Sequence, residues 1–437
     1  DMSSIYTNQN NVNKANQNTK NGFLFQSTDT TKESLTGNPS REDQNGGVST
    51  YLEYNAQTRG DSEGSLGSYT KSCDGEKEKR FARKKKRKRN QAYARKLVGG
   101  RLESCCRVPV PVMVNGDVVN MLAESRTVSI LQNGENYAFG GLMHCGSVWC
   151  CPECASIITE YRRNELKLAC ENAVNQGLNI AMLTLTVPHY AKDHLRDVLD
   201  GISSALRKLK DRRAFKRLAQ EIGLVGNIRT LEVTYGVNGW HPHFHILLFT
   251  KSELNDQELI SIQKNLLAQW QSACVSSGLP LPNEHGVDLC NGLWVAEYVT
   301  KWGIEEEMTK GHLKQGVKDG HVSPFGLLDL YDQGDENAGR RFQEFATVFK
   351  GKRQLVWSKG LRELLKVGEQ KPDEEIIKEM ENASTEVMKI SYTDYQQIMK
   401  YEKEVEFLSQ VCPHGKEAIR AYIDDLYQKD VSFSPPY

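Results

Sequence analysis

The chain has 437 residues, 38% of them hydrophobic, which is enough for two or three domains and a packed core over part of the length. Fifty-six basic and fifty-six acidic residues cancel, so net charge identifies no partner and only its distribution can. No apolar run approaches a membrane span, the N-terminus lacks a basic-then-apolar leader, and eleven cysteines crowded mostly into one region suit metal thiolates better than a secreted disulfide framework. A cytoplasmic protein without membrane contact is expected.

In chain order, residues 1–76 are rich in Asn, Gln, Ser, Thr and Gly and read as a disordered polar tail. Residues 77–96, KEKRFARKKKRKRNQAYARK, hold twelve Lys or Arg against one Glu and read as a basic linker or a phosphate-tracking arm. Residues 97–155 carry cysteines among glycines and short apolar stretches, the pattern of a small metal-stapled module. From 156 to 310 helical and strand periods alternate. A helix over Ser156–Asn175 precedes a buried strand from Ile180 to Val187, ended by Pro188. A basic amphipathic helix from about Asp193 to Ile222 then presents Arg207, Lys208, Arg212, Arg213 and Lys216 as candidate DNA-binding groups. Strands over Asn227–Tyr235 and Trp240–Thr250 pair as a hairpin about Gly236 and Gly239, followed by helices near Glu253–Ser276 and Leu293–Met308. A glycine-rich extension over 311–365 leads to an acidic helical tail over 366–437, with eleven Asp or Glu against five Lys between 368 and 410. The expected class is α+β: an antiparallel sheet with helices packed on it, a zinc module before it and a helical region after it.

Within the hairpin, side chains at alternate positions share a face, so His241, His243 and His245 point the same way. The partner strand carries Glu232 among apolar residues, a costly placement unless the acid is paired or coordinated. One histidine alone is most often a core residue; three in alternation beside an inward acid reverse those odds. Mixed nitrogen and oxygen donors suit a catalytic Mn or Mg ion, with Zn or Co also open.

On the later helix, Tyr298, Lys301 and Trp302 stand at i, i+3 and i+4 and share a face. A tyrosine oxygen can attack a phosphodiester when a metal polarises the phosphate and a cation such as Lys301 offsets the developing charge. Taken alone the motif is an ordinary helix face, with Glu297 and Lys301 a common i,i+4 pair. Upstream, Cys151-Pro-Glu-Cys154 has zinc-knuckle spacing, and Cys145 with Cys105 or Cys106 completes a tetrahedral thiolate set. A closed zinc site of that kind supports folding or DNA docking and not catalysis.

The order Leu183-Thr-Leu-Thr186, then Trp240-His-Pro-His-Phe-His-Ile-Leu-Leu248, then Tyr298-Val-Thr-Lys301 resembles the replication initiators of rolling-circle plasmids, members of the HUH endonuclease superfamily. The resemblance runs from about Arg101 to Leu361. It implies an RRM-like HUH nicking fold, with His243, His245 and Glu232 as metal ligands, Tyr298 as nicking tyrosine and Lys301 as its neighbouring cation. His241 then falls outside the two-histidine motif, as a neighbour of the metal site or a DNA contact. Cys145, Cys151 and Cys154 match the cysteine-rich element that precedes the nicking domain, and Cys150 does not. The implied activity is a metal-dependent nick in one strand of a single-stranded or stem-loop origin, leaving a 5′-phosphotyrosine link and a free 3′-hydroxyl primer. Host helicase and polymerase are the implied partners, and a dimer is compatible. Trp302 stands where some relatives carry a second tyrosine or a glutamate, which puts a one-protein tyrosine exchange in doubt and leaves Glu297, through an activated water, as one route to termination. Competing readings are a rolling-circle transposase of the same superfamily and a non-catalytic, zinc-dependent DNA-binding protein.

Overall fold

In the computed structural model the described residues are 69–114, 117–119, 125–291 and 321–432, all within the unit Glu63–Tyr437. The tyrosine helix expected at Leu293–Met308 lies outside them.

The basic block is helical rather than a linker. Helix α1, Tyr69–Val98, is rich in Lys, Arg, Ala and Gln, good helix formers, and stops at two glycines with positive φ, Gly99 and Gly100. Its self-repulsion is offset by acids from distant segments: Lys86 pairs with Asp329 at 2.8 Å, Arg87 with Glu153 at 3.1 Å and Arg89 with Asp332 at 2.9 Å. Asn90, Gln91 and Ala94 are buried, so one stripe of this helix is docked. A sequence count of charges could not reveal these partners, since they lie up to 243 positions away, as Arg89 and Asp332 do.

A short hairpin, β1 (Val112–Val114) with β2 (Asp117–Val119), and a second, β3 (Thr127–Asn133) with β4 (Asn136–Gly140), follow. Helix α2, Pro152–Asn175, begins with Pro at its first position and Cys151 as N-cap. Strand β5 (Asn179–Thr186) leads to α3 (Leu195–Asp211) and α4 (Arg213–Glu221). The single basic helix expected here is two, because Arg212 between them is extended, with ψ 139°. Strands β6 (Leu224–Gly236) and β7 (Gly239–Thr250), helix α5 (Asp256–Ser276) and strand β8 (Val287–Asn291) complete the central region. Asn255 and Glu258 close α5 with a reciprocal capping box. Beyond residue 320 come α6 (Pro324–Asp332), α7 (Glu336–Phe349), β9 (Leu355–Trp357), α8 (Asp373–Asn382), β10 (Thr385–Ser391), α9 (Tyr392–Lys400) and α10 (Lys416–Ser432).

The main sheet is antiparallel with strand order β8-β5-β7-β6-β9. One face buries Ile180, Ile228, Leu247 and Phe249 against Leu166, Ala169 and Ala173 of α2. Each such large apolar side chain contributes about 1.5–3 kcal/mol by leaving water. The opposite face buries Leu183, Leu185, Phe244 and Ile246 against α3 and α5, with Trp270 and Leu206 in the same core. The fold is therefore α+β, with helices on both faces of an antiparallel sheet.

The tail is not purely helical. Strand β10 pairs with β3 in a smaller sheet, order β10-β3-β4, whose core includes Val128, Ile130, Ile390, Tyr395 and Phe407. Its charged residues hide the period-two signal: only Ile390 among its seven residues is fully buried. No helix among the described residues is long and apolar enough to cross a membrane.

Candidate metal centres

The β6–β7 hairpin turns through Val237 and Asn238, with Gly236 paired to Gly239. Gly239 has φ +87°, and a Cβ there would lie 2.8 Å from the carbonyl oxygen of Tyr190, so only glycine fits. From this turn the register places Glu232 opposite His243 and Thr230 opposite His245. Both imidazoles aim Nε2 at one carboxylate oxygen: Glu232 Oε2 is 3.4 Å from His243 and 3.3 Å from His245. Those separations match the roughly 3.4 Å edge expected between tetrahedral nitrogen and oxygen ligands with arms of about 2.0–2.1 Å. Glu232 is 7% exposed and His245 6%, so the acid sits where an uncompensated charge is expensive. On β5, Thr184 Oγ1 lies 3.1 Å from His245 Nδ1. If Nδ1–H donates to that hydroxyl, Nε2 carries the lone pair toward Glu232. Donor chemistry, convergence and burial together fit a divalent ion held by Glu232, His243 and His245.

His241 shares the face but not the donor set. Its ring stacks on His189 at 4.7 Å and approaches His321 at 5.8 Å, while standing 5.2 Å from His243. Burial, and then the neighbouring imidazoles, push its pKa down to about 3, which keeps it neutral. His189 and His321 escape sequence reasoning, because each is a lone histidine outside any repeat. The nearest hint is that His189 follows Val187-Pro188 at the end of β5.

Tyr298, Lys301, Glu297 and Trp302 lie outside the described residues. The basic candidates divide. Arg207, Arg213 and Lys216 are exposed, whereas Lys208 donates to the Ser276 carbonyl and Arg212 Nη2 donates to Ser272 Oγ at 2.8 Å, tying both to the last turn of α5. Helix α3 packs on the sheet face opposite the histidines. A cavity of about 760 Å³ lies away from them as well, between the cysteine loop, α2 and α7, lined in part by Arg101, Trp149, Lys352 and Arg353.

The second centre is made of thiols. Cys105 Sγ is 3.6 Å from both Cys151 and Cys154, and Cys145 Sγ is 3.7 Å from Cys154. A regular tetrahedron with zinc–sulfur arms of about 2.3 Å has edges of roughly 3.8 Å. All four cysteines are buried, and the set fits a structural zinc ion. The CxxC spacing works because Cys151 caps α2 and Cys154 lies in its first turn, with the Cys154 amide donating to Cys151 Sγ at 3.5 Å. Gln91 of α1 adds N–H donors 3.4 Å from Cys151 and 3.6 Å from Cys105. Cys106 stands outside the four, 3.8 Å from Cys105. Cys150 points instead toward the Ala346 carbonyl, and burial pushes its thiol up to about 11.

Comparison with known proteins points to replication proteins. A family model described as replication protein matches residues 143–407, which take in the Cys145–Cys154 loop and the histidine hairpin. Protein rep of Streptomyces lividans is 28% identical over 295 residues, covering 52% of this chain and 64% of that protein. A neomycin resistance protein of Streptomyces cyanogenus is 28% identical over 170 residues, 32% of this chain and 39% of that protein. Protein rep of Staphylococcus aureus is 32% identical over 94 residues, 20% of this chain and 38% of that protein. The chain thus spans less than two thirds of each of these relatives. No solved structure matches. With the matched region exceeding half its length and enclosing the histidine centre, the chain belongs to the replication protein family of rolling-circle plasmid initiators.

Proposed function

We propose that the protein initiates rolling-circle plasmid replication as a metal-dependent, site-specific single-strand DNA endonuclease and strand transferase. The observation that carries this reading is the convergence of His243 and His245 on Glu232, at 3.4 and 3.3 Å, on a sheet face where a buried acid needs a cation. A Mn or Mg ion bound there supplies Lewis-acid polarisation of a DNA phosphate. Glu232 and the two imidazoles hold their donor atoms in place through the β6–β7 register, and Thr184 sets the tautomer of His245. His241, neutral and stacked on His189, widens the polar floor beside the phosphate.

Tyr298 is the proposed nucleophile. Its oxygen forms a bond to phosphorus as the bond from phosphorus to the 3′ oxygen breaks; the phenol gives its proton to solvent water and the departing 3′ oxygen takes one from it, leaving a 3′-hydroxyl. Lys301 offsets charge on the phosphate, and Glu297 is a candidate for handling a proton at termination, since Trp302 supplies no second nucleophile. Strands β5 to β8 and their flanking helices belong in this reading to an RRM-like HUH domain over about 156–310, with a zinc module over 97–155 before it, an extension over 311–365 that adds β9 to the sheet, and a further extension over 366–437. The polar segment proposed over 1–76 and the basic arm over 77–96 meet within helix α1, which starts at Tyr69. Arg207, Lys208, Arg212, Arg213 and Lys216 are the proposed DNA-holding groups. Stem-loop origin DNA, host helicase and host polymerase are the partners, in a cytoplasmic setting and in a complex that allows a dimer.

The test is a labelled origin stem-loop incubated with the protein and Mn, followed by denaturing electrophoresis. A covalent adduct that Tyr298→Phe abolishes is expected. Binding without any adduct from the unmutated protein would overturn the enzymatic reading in favour of a zinc-dependent DNA-binding protein.

A further inference from the structure

Four thiols complete a tetrahedral site, yet two more donors crowd against it. Cys106 Sγ lies 3.8 Å from Cys105 Sγ and 3.7 Å from His144 Nδ1, and the same nitrogen lies 3.7 Å from Cys154 Sγ. Cys105, Cys106 and His144 have donor atoms mutually within 4.8 Å. A sulfur and a nitrogen on one tetrahedral zinc ion are separated by roughly 3.6 Å, given arms of about 2.3 and 2.0–2.1 Å. Two edges of this second group, Cys105 to Cys106 and Cys106 to His144, therefore have the spacing of ligands around an ion.

Two further features single out these residues. Cys106 is a non-glycine residue with φ +54°, a strained conformation. It is held there from both sides: its amide donates to the Met143 carbonyl at 2.8 Å, and Tyr395 donates its hydroxyl to the Cys106 carbonyl at 2.7 Å. His144 has its other nitrogen, Nε2, 3.3 Å from Glu381 Oε1. A carboxylate on the far nitrogen is the usual means of fixing a metal-bound imidazole, since it holds the proton on that side and leaves Nδ1 free to ligate. His144 and Glu381 stand 237 positions apart, and their side chains are 14% and 27% exposed.

We propose that the cysteine centre binds two zinc ions. The first is held by Cys105, Cys145, Cys151 and Cys154. The second is held by Cys106 and His144 and shares the Cys105 thiolate with the first, its fourth position flanked by Cys154 and open to that sulfur or to water. Five thiolates against two divalent ions leave a net charge of minus one, offset by Arg95, whose Nη2 lies 3.5 Å from the Cys105 carbonyl. The second ion links the loop around Cys106 to α8 through Glu381. The inference does not rest on DNA nicking.

Zinc content of the full chain decides it, measured in a His243→Ala/His245→Ala background so that the histidine centre adds no metal. Two zinc ions per chain are expected, falling to one in Cys106→Ser and in His144→Ala. One ion per chain in that background, or two that neither substitution changes, overturns the proposal. Cadmium NMR on the unmutated, cadmium-loaded chain gives an independent reading should a variant fail to fold. Two thiolate-range resonances with mutual coupling through a shared sulfur support the bridge, and a single resonance in that range refutes it.

Discussion

Glu232→Gln separates a metal ligand from a structural ion pair, because the two roles predict opposite changes. Gln keeps the shape of the side chain and removes its charge at a position 7% exposed. In chelated protein the carboxylate is buried beside two imidazoles with no ion to balance its charge, and a neutral amide of similar size there carries a smaller desolvation cost. The chelated variant should thus melt at the same temperature as the parent or higher. In the presence of Mn the order reverses. Losing one charge-assisted contact costs about 1.5–3 kcal/mol, roughly a 10- to 100-fold weaker Kd. At a Mn concentration near 100 times the parent's Kd, the parent gains about 2.7 kcal/mol of stability, whereas a variant weakened 100-fold gains about 0.4 kcal/mol. Differential scanning calorimetry with and without Mn reads both quantities on the same sample. A variant that loses stability in chelator yet keeps the full Mn-induced shift would refute Glu232 as a ligand and make it a partner of His243 and His245 alone.

Three further variants probe the supports of that centre and the route to DNA. Thr184→Val removes the hydroxyl 3.1 Å from His245 Nδ1, and isothermal titration should record Mn affinity about 10-fold weaker with little change in fold. Gly239→Ala introduces a Cβ 2.8 Å from the Tyr190 carbonyl oxygen at φ +87°, so urea unfolding should show a loss of roughly 1–3 kcal/mol. Unchanged stability would mean that the hairpin relaxes freely. Replacing the exposed Arg207, Arg213 and Lys216 by Ala should lower the slope of log affinity against log salt by about 2 on single-stranded DNA, if each contacts one phosphate. An unchanged slope would move the DNA path to another face.

The histidine hairpin was legible because two short-range rules coincide there. Alternation fixes which side chains share a face, and the Gly236–Gly239 turn fixes the register that sets Glu232 against His243. Within the thiol cluster, Cys151 and Cys154 were legible for a similar local reason, the capping geometry that their spacing gives them. What sequence missed is long-range. The partners that fold the basic helix lie on α2 and α6, and the strand that completes the small sheet arrives from residues 385–391, where Glu386 and Lys389 break the apolar pattern. The break at Arg212 has no Gly or Pro to announce it. Likewise His144 meets Cys106 and Glu381, and His189 meets His241, through contacts that no local period encodes.

The two centres differ in what their loss should do, and topology explains why. Glu232, His243 and His245 sit on adjacent strands of a sheet whose register is held by the full length of β5, β6 and β7. Their positions do not depend on an ion, and an emptied donor set of this kind leaves the backbone ladder intact. The thiol centre instead draws its surroundings from segments joined by few backbone bonds, chiefly those around the Pro109–Leu142 bridge: Gln91 from α1, Cys105 and Cys106 from the following turn, His144 to Cys151 from a loop, Cys154 from the first turn of α2, Glu381 from α8 and Tyr395 from α9. An ion there closes loops between residues 105 and 154, so its binding energy is folding energy for that stretch. A chelator strong enough to strip both centres should therefore unfold the cysteine region, while one that takes only Mn or Mg silences the histidine centre and leaves the fold standing. Limited proteolysis during stepwise chelation distinguishes these stages, with cleavage near residues 97–155 appearing only at the second.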